Sequence, residues 1–253
     1  MQNQVVLIND AIREASKFLH RDYFELENLQ SSARSLRVFV DKAKTRVTEN
    51  LQKSLSKYYK TIIFDSPELD LSALDFTGSV ALVDALDGSC NFERAIPFFA
   101  LVVTILTTKQ GKISAEKVAV NFPILGDTYY AEQGKGTWLE RHSFNFGGGT
   151  IRLRVSVNSK LEQSLVSCNY QQLELAQKIS TNIRIFESYA YQIALLISGK
   201  SDIAILTNKP MNHGLDLLVR EAGGVSYSKN NFFIASNHQI QENLKKPCFS
   251  QLF

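Results

Sequence analysis

Cysteine is scarce and scattered: Cys90, Cys168 and Cys248 are isolated from one another, and no Cys-x-x-Cys pair occurs. That suits buried thiols in a reducing compartment better than a disulfide framework or a zinc site. The histidines, His20, His142, His213 and His238, show no metal-ligand spacing, and none is assigned to catalysis. No apolar run approaches the roughly 18 residues of a membrane span. The longest, 96–106, is short and is interrupted by Pro97 and Thr104. The N-terminus lacks the basic start and long apolar stretch of a signal peptide, so a cytoplasmic location and no membrane partner are expected. Neither sign of charge dominates: the net charge is +3 and spread along the chain. No basic stripe is interleaved with aromatics, so direct nucleic-acid binding is not expected.

What is present is an ordinary globular composition, 44% hydrophobic and 21% charged over 253 residues, enough chain for a full core in one large domain or two halves. Val5, Ile8, Ile12, Ala15, Phe18, Leu19 and Phe24 recur at helical spacing over 5–27, and Val40, Ala43, Val47, Leu51, Leu55 and Tyr58 over 40–59. Short strands are expected at 61–64, 80–83, 98–108, 117–122, 127–131 and 137–139. The glycine run at 147–149 is the best joint, dividing an N-terminal αβ half (1–146) from a C-terminal αβ half (150–253) that together form one compact unit. No Lys-Ser/Thr follows those glycines, so they are a connector and not a phosphate loop. Beyond them strands at 151–157, 165–168, 183–186, 203–206 and 232–234 alternate with helices at 173–181, 189–198 and 213–222, the last stopped by Gly223-Gly224. Mixed strands and helices throughout argue for a layered α/β or α+β architecture.

The most informative stretch is 80–99. An apolar strand delivers Asp84 and Asp87 to a place where Gly88, Ser89 and Asn91 supply turn and helix-capping residues. Two carboxylates held close repel each other and invite a divalent cation. A helix opening behind them would offer free N–H groups to an anion. Asp-x-x-Asp-Gly also serves in plain turns. Apolar strands on both sides favour the functional reading, because acids at the end of a buried strand sit where open sheets place ligands.

The segment Asp84-Ala85-Leu86-Asp87-Gly88-Ser89-Cys90-Asn91-Phe92 resembles the signature of the inositol monophosphatase family, whose usual form is Asp-Pro-Ile/Leu-Asp-Gly-Thr-Thr-Asn-Phe. Ile96-Pro97-Phe98, Tyr130-Ala131-Glu132-Gln133-Gly134-Lys135-Gly136, Ser198-Gly199-Lys200-Ser201-Asp202 and Leu218-Val219-Arg220-Glu221-Ala222-Gly223-Gly224 resemble further landmarks, in order. The resemblance, to the bacterial extragenic-suppressor type, implies an αβαβα sandwich, commonly a homodimer, that hydrolyses a small phosphomonoester with Mg²⁺. It implies that Asp84 bridges two metals, Asp87 binds the second and the Leu86 carbonyl completes the first. Backbone N–H groups of Gly88 and Ser89 would hold phosphate, and Asp65, Asp87 and Ser89 would be the catalytic set.

Several positions depart from the family's pattern. Asp65 stands where a metal-binding Glu is usual, one methylene shorter. Lys44 stands where an acid orients the attacking water, Asn212 where the second metal has a carboxylate, and Ile205 where a Glu faces substrate. Asp216 could replace the missing ligand only if its helix slipped in register. The expectation is one Mg²⁺ site largely intact in charge and a second one weakened, with the Lys44 ammonium partly replacing the missing metal charge. Two functions remain open: a phosphatase for inositol monophosphate or a similar ester, or a catalytically impaired member that binds proteins such as RNA polymerase-associated factors in transcription antitermination.

Overall fold

The computed structural model describes residues 4–26, 33–66, 69–73, 78–109, 112–141, 149–229 and 231–245. Residues 147–148 of the expected joint, His142 and Cys248 lie outside them.

Side-chain alternation builds the layers. The first sheet holds, in spatial and chain order, β1 (Thr61–Phe64), β2 (Ser79–Asp87), β3 (Ala100–Lys109), β4 (Lys112–Phe122), β5 (Asp127–Glu132), β6 (Thr137–Arg141) and β7 (Gly149–Arg152). Successive residues of a strand face opposite sides. Ala81, Val83, Leu101, Val103, Ile105 and Ala119 therefore pack on two long helices, α1 (Gln4–Leu26) and α2 (Ala33–Leu55). Leu82, Val102, Val118 and Val120 pack the other way, on α5 (Tyr189–Ile197) and α6 (Asn212–Glu221). The far side of those helices meets Ala204, Leu206, Phe233 and Ala235 of a second sheet.

That sheet runs in the order β11 (Val225–Lys229), β12 (Phe232–Ser236), β10 (Ile203–Thr207), β8 (Val166–Cys168), β9 (Ile183–Ile185). Its outer face, with Val166, Cys168, Ile203, Ile205 and Ile234, is covered by α4 (Leu173–Ile179) and α7 (His238–Leu244). The result is the expected αβαβα sandwich. The short α3 (Ser89–Glu93) follows β2 directly.

Some expectations shift. The helix placed at 40–59 runs Ala33–Leu55, so Tyr58 falls off its phase and is 54% exposed while Tyr59 is buried. Phe24 is likewise 49% exposed, with Tyr23 and Leu26 filling the core. The glycine run does not end the first sheet, because β7 pairs with β6 through Arg152↔Trp138. β11 and α7 have no counterpart in the sequence reading. Cys168 is a buried thiol, pushed up to about 11 by burial, but Cys90 is exposed.

Two family-like landmarks turn out to be one structural device. Glu221, at the C-terminus of α6, accepts from the Gly134 and Gly136 N–H groups at 2.7 and 2.8 Å and so docks the β5–β6 hairpin. Directly after it, Gly223 adopts φ 79°. The Gly224 N–H reaches the Val219 carbonyl and the Gly223 N–H the Arg220 carbonyl, closing the helix with a Schellman motif.

The middle helix α6 sits tight on β3 and β4. A Cβ at Gly214 would lie 2.0 Å from Thr104 Oγ1 and 3.0 Å from Val118 Cγ2. Gly214→Ala should therefore destabilise the protein by about 1–3 kcal/mol despite alanine's better helix propensity. Thr104→Ala in the same chain should recover most of the loss. Urea denaturation midpoints check both.

Candidate active site

β1 and β2 pair in parallel, Phe64↔Val83, and the Asp65 N–H donates to the Val83 carbonyl at 2.7 Å. Asp65, the residue after β1, and Asp84, the first residue of β2 beyond its pairing with β1, are consequently side by side toward the carboxyl ends of neighbouring parallel strands, where open sheets bind ligands. The chain does not turn between Asp84 and Asp87, as the sequence suggested. β2 continues, with Asp84 opposite Val102 and Asp87 opposite Ala100 and a bulge between them. The extra residue re-aims the side chains, which is what bulges do beside ligand sites.

The turn comes at Gly88, φ 78° and ψ 36°. A Cβ there would meet the Phe98 carbonyl at 2.9 Å and Ser188 Cβ at 3.0 Å, so only glycine fits. α3 opens immediately, its first carbonyl acceptor being Gly88. Asn91 anchors the turn by donating Nδ2–H to the Phe98 carbonyl at 2.7 Å.

Asp87 is committed to a partner the linear sequence does not show. Its Oδ2 accepts from Ser188 Oγ at 2.6 Å and from the Ala190 N–H at 2.9 Å, and its Oδ1 from the Tyr189 N–H at 3.2 Å. These are the N-cap and first N–H groups of α5, a terminus that attracts negative charge. Ser188 also caps the helix, accepting from the Tyr191 N–H. Asp84 keeps one oxygen for the Leu86 N–H at 3.0 Å. Asp65 Oδ1 is buried with no hydrogen-bond partner.

Asp84, Leu86, Asp87, Gly88, Ser89 and Cys90 line one side of a cavity of about 220 Å³. Asn169, Gln171, Glu187, Tyr189 and Lys209 line the other. Lys209 Nζ lies 4.5 Å from the centre of the Tyr189 ring. Lys44 borders an adjoining groove of about 1050 Å³ that shares Leu86 and Ser89 with the cavity. Burial raises the Asp65 carboxyl, Asp87 adds to that, and Lys209 and Lys44 oppose it. Burial pushes Asp84 up to about 6, reinforced by Asp65 and opposed by the Leu86 N–H and by both lysines. Burial and Asp84 push Asp87 up to about 6 against its three donors.

Not every residue named from the sequence is here. Ile205 is fully buried in the outer core between the second sheet and α4/α7, so it faces no substrate. Asn212 donates to the Thr207 carbonyl and lines a neighbouring cavity with His213, Asp216 and Arg220, which shares Lys209 with the acid cavity. Asp216 is taken by Arg220 and Ser226 and does not reach the acids. Missed were Ser188, Tyr189, Glu187 and Lys209. A serine ahead of an apolar helix was a readable N-cap. Its partner Asp87, 101 residues away, was not.

The arrangement suits a cation held by few protein ligands. Among the described residues no three His, Cys, Asp or Glu side chains form a group that could hold a metal ion. The orphaned Asp65 oxygen and the free Asp84 oxygen nevertheless fit the one or two carboxylates that Mg²⁺ takes when substrate phosphate supplies the rest.

The five layers and the acid-lined cavity at the ends of β1 and β2 place the molecule among the sugar-phosphatase-like αβαβα proteins. The model of the inositol monophosphatase family matches residues 2–245, and the chain belongs to that family. It is 30% identical over 232 residues to an inositol-1-monophosphatase of Rhizobium meliloti, covering 85% of this chain and 82% of the relative. It is 24% identical to the Nus factor SuhB of Pseudomonas aeruginosa over 100% of this chain and 95% of that protein. The crystal structure of the extragenic suppressor protein suhB from Bartonella henselae superposes with a TM-score of 0.74 at 25% identity, covering 96% and 98% of the two chains.

Because Asp84 and Asp87 hold protons more tightly folded than unfolded, their contribution to stability falls as pH rises from the unfolded value near 4 to about 6 and stays low above it. Asp84→Asn, which keeps an acceptor for the Leu86 N–H, should gain about 1–2 kcal/mol over the parent at pH 7.5 and nothing at pH 4 in metal-free buffer. Urea unfolding at the two pH values measures this.

Proposed function

We propose that this protein hydrolyses a small phosphomonoester, inositol monophosphate or a similar ester, with Mg²⁺ bound at Asp65, Asp84 and the Leu86 carbonyl. The observation that carries the reading is the pair of carboxylates at the ends of adjacent parallel strands, one oxygen of which is buried and unpartnered. A bound Mg²⁺ would neutralise charge on the phosphoryl group and lower the pKa of a coordinated water.

The protein's own residues do the remaining work. Gly88, in its left-handed conformation, brings backbone N–H groups of the 88–89 turn within reach of phosphate oxygens. Ser89 adds a hydroxyl at the same rim. Asp87, held by three donors, positions α5 and with it Tyr189 and Glu187 on the facing wall. Lys44 reduces the field of the acids from the side of α2, as its effect on Asp65 and Asp84 indicates.

A second reading rests on the full-length likeness to a Nus factor. The chain would then be a catalytically impaired member whose partners are RNA polymerase-associated proteins, and loss of the Asn212 and Lys44 acids supports it. Both readings include a homodimer and a cytoplasmic location.

Phosphate release from a panel of small monophosphates separates the two. The phosphatase reading expects Mg²⁺-dependent turnover that Asp84→Ala reduces at least about a hundredfold, since metal-assisted charge stabilisation is worth several kcal/mol. A folded protein with no turnover at millimolar Mg²⁺ would leave the Nus-factor reading standing.

A further inference from the structure

We infer that Lys209 is the second cation of this site: its ammonium contacts the phosphate group of the substrate, and a single divalent ion per chain completes the charge balance. The inference rests on the phosphatase reading above and assigns a direct binding role to a residue of the β10–α6 connection.

Three observations converge. First, three of the roughly four acceptor positions of the acid that would hold a second metal are already taken. Both Asp87 oxygens are bound by the N-terminus of α5, Oδ2 twice. Second, the residue in place of that metal's other carboxylate, Asn212, is neutral, donates to the Thr207 carbonyl and does not line the acid cavity. Third, Lys209 does line it, together with Asp84, Asp87, Gly88 and Ser89.

Lys209 forms no ion pair with any described acid, so its charge is not spent on a neighbour. Its contact is with the face of the Tyr189 ring, which fixes the ammonium beside the cavity without neutralising it. Tyr189 is in turn fixed by its own N–H to Asp87. The chain of contacts Asp87–Tyr189–Lys209 thus ties the ammonium to the acid side of the cavity.

The wall is not uniformly basic. Glu187 stands at the rim, exposed and accepting from the Tyr170 N–H. With Asp65, Asp84 and Asp87 it leaves carboxylates in excess over Lys44 and Lys209. One divalent ion is therefore still needed for an anionic ligand to bind.

Isothermal titration of the full chain, first with MgCl₂ alone and then with inorganic phosphate at saturating Mg²⁺, tests this. The expected result is one Mg²⁺ per chain with phosphate bound, and a Lys209→Met variant that binds phosphate about tenfold or more weakly, the size of a lost charge-assisted hydrogen bond. The same variant should bind Mg²⁺ alone as tightly as the parent or more tightly, because a positive charge beside the acids is gone; a merely structural defect would weaken both. Lys209→Arg should recover part of the phosphate affinity. Two Mg²⁺ per chain, or unchanged phosphate affinity in Lys209→Met, would overturn the inference and leave the phosphatase reading intact. If the parent binds neither Mg²⁺ nor phosphate, that reading falls and this one with it.

Discussion

The contact between the Asp87 carboxylate and the start of α5 governs the geometry of the whole site. It is the point where the first sheet is fastened to the central helical layer: one side chain satisfies the cap hydroxyl and two N–H groups of a helix 101 residues further on. Orphan donors at a helix start must find partners, and a buried carboxylate must find donors, so each solves the other's problem. The neighbouring Gly88 is pressed against Ser188 and the Phe98 carbonyl, which leaves no room for a side chain. On the far side of the cavity, Glu187, Tyr189 and through the ring Lys209 take their position from that junction.

The same junction shapes the electrostatics. Carboxylates withdrawn from water and facing each other carry raised pKa values, and the site tempers that in three ways: hydrogen bonds to Asp87, the Leu86 N–H on Asp84, and two ammonium groups arriving from α2 and from the β10–α6 connection.

The fold was legible because its signals are local and repeated. Period-two alternation in β2, β3 and β4 and helical stripes in α1, α5 and α6 are set by burial, and burial shows directly in residue type. Where burial does not decide, reading failed: the end of α2 at Leu55, the exposed Phe24 and Tyr58, and the amphipathic β11. At the site, the Asp84–Asn91 run declared itself because bulge, turn and helix start are consecutive. Ile205 illustrates the opposite: its place along the chain suggested the cavity, but strand alternation sends it to the outer core. Lys209 was invisible, being one exposed lysine among others until folding laid it over Tyr189.

The two-sided burial of the central helices has a consequence for how the chain is made. The last strand of the first sheet ends at Arg152, yet the inner face of that sheet is not fully covered until α5 and then α6, ending at Glu221 about 70 residues later, are in place. At roughly 5–20 residues per second, translation leaves Val102, Val118 and Val120 without their partners for several seconds. A chain cut between those two points would leave that apolar face without the helices that cover it.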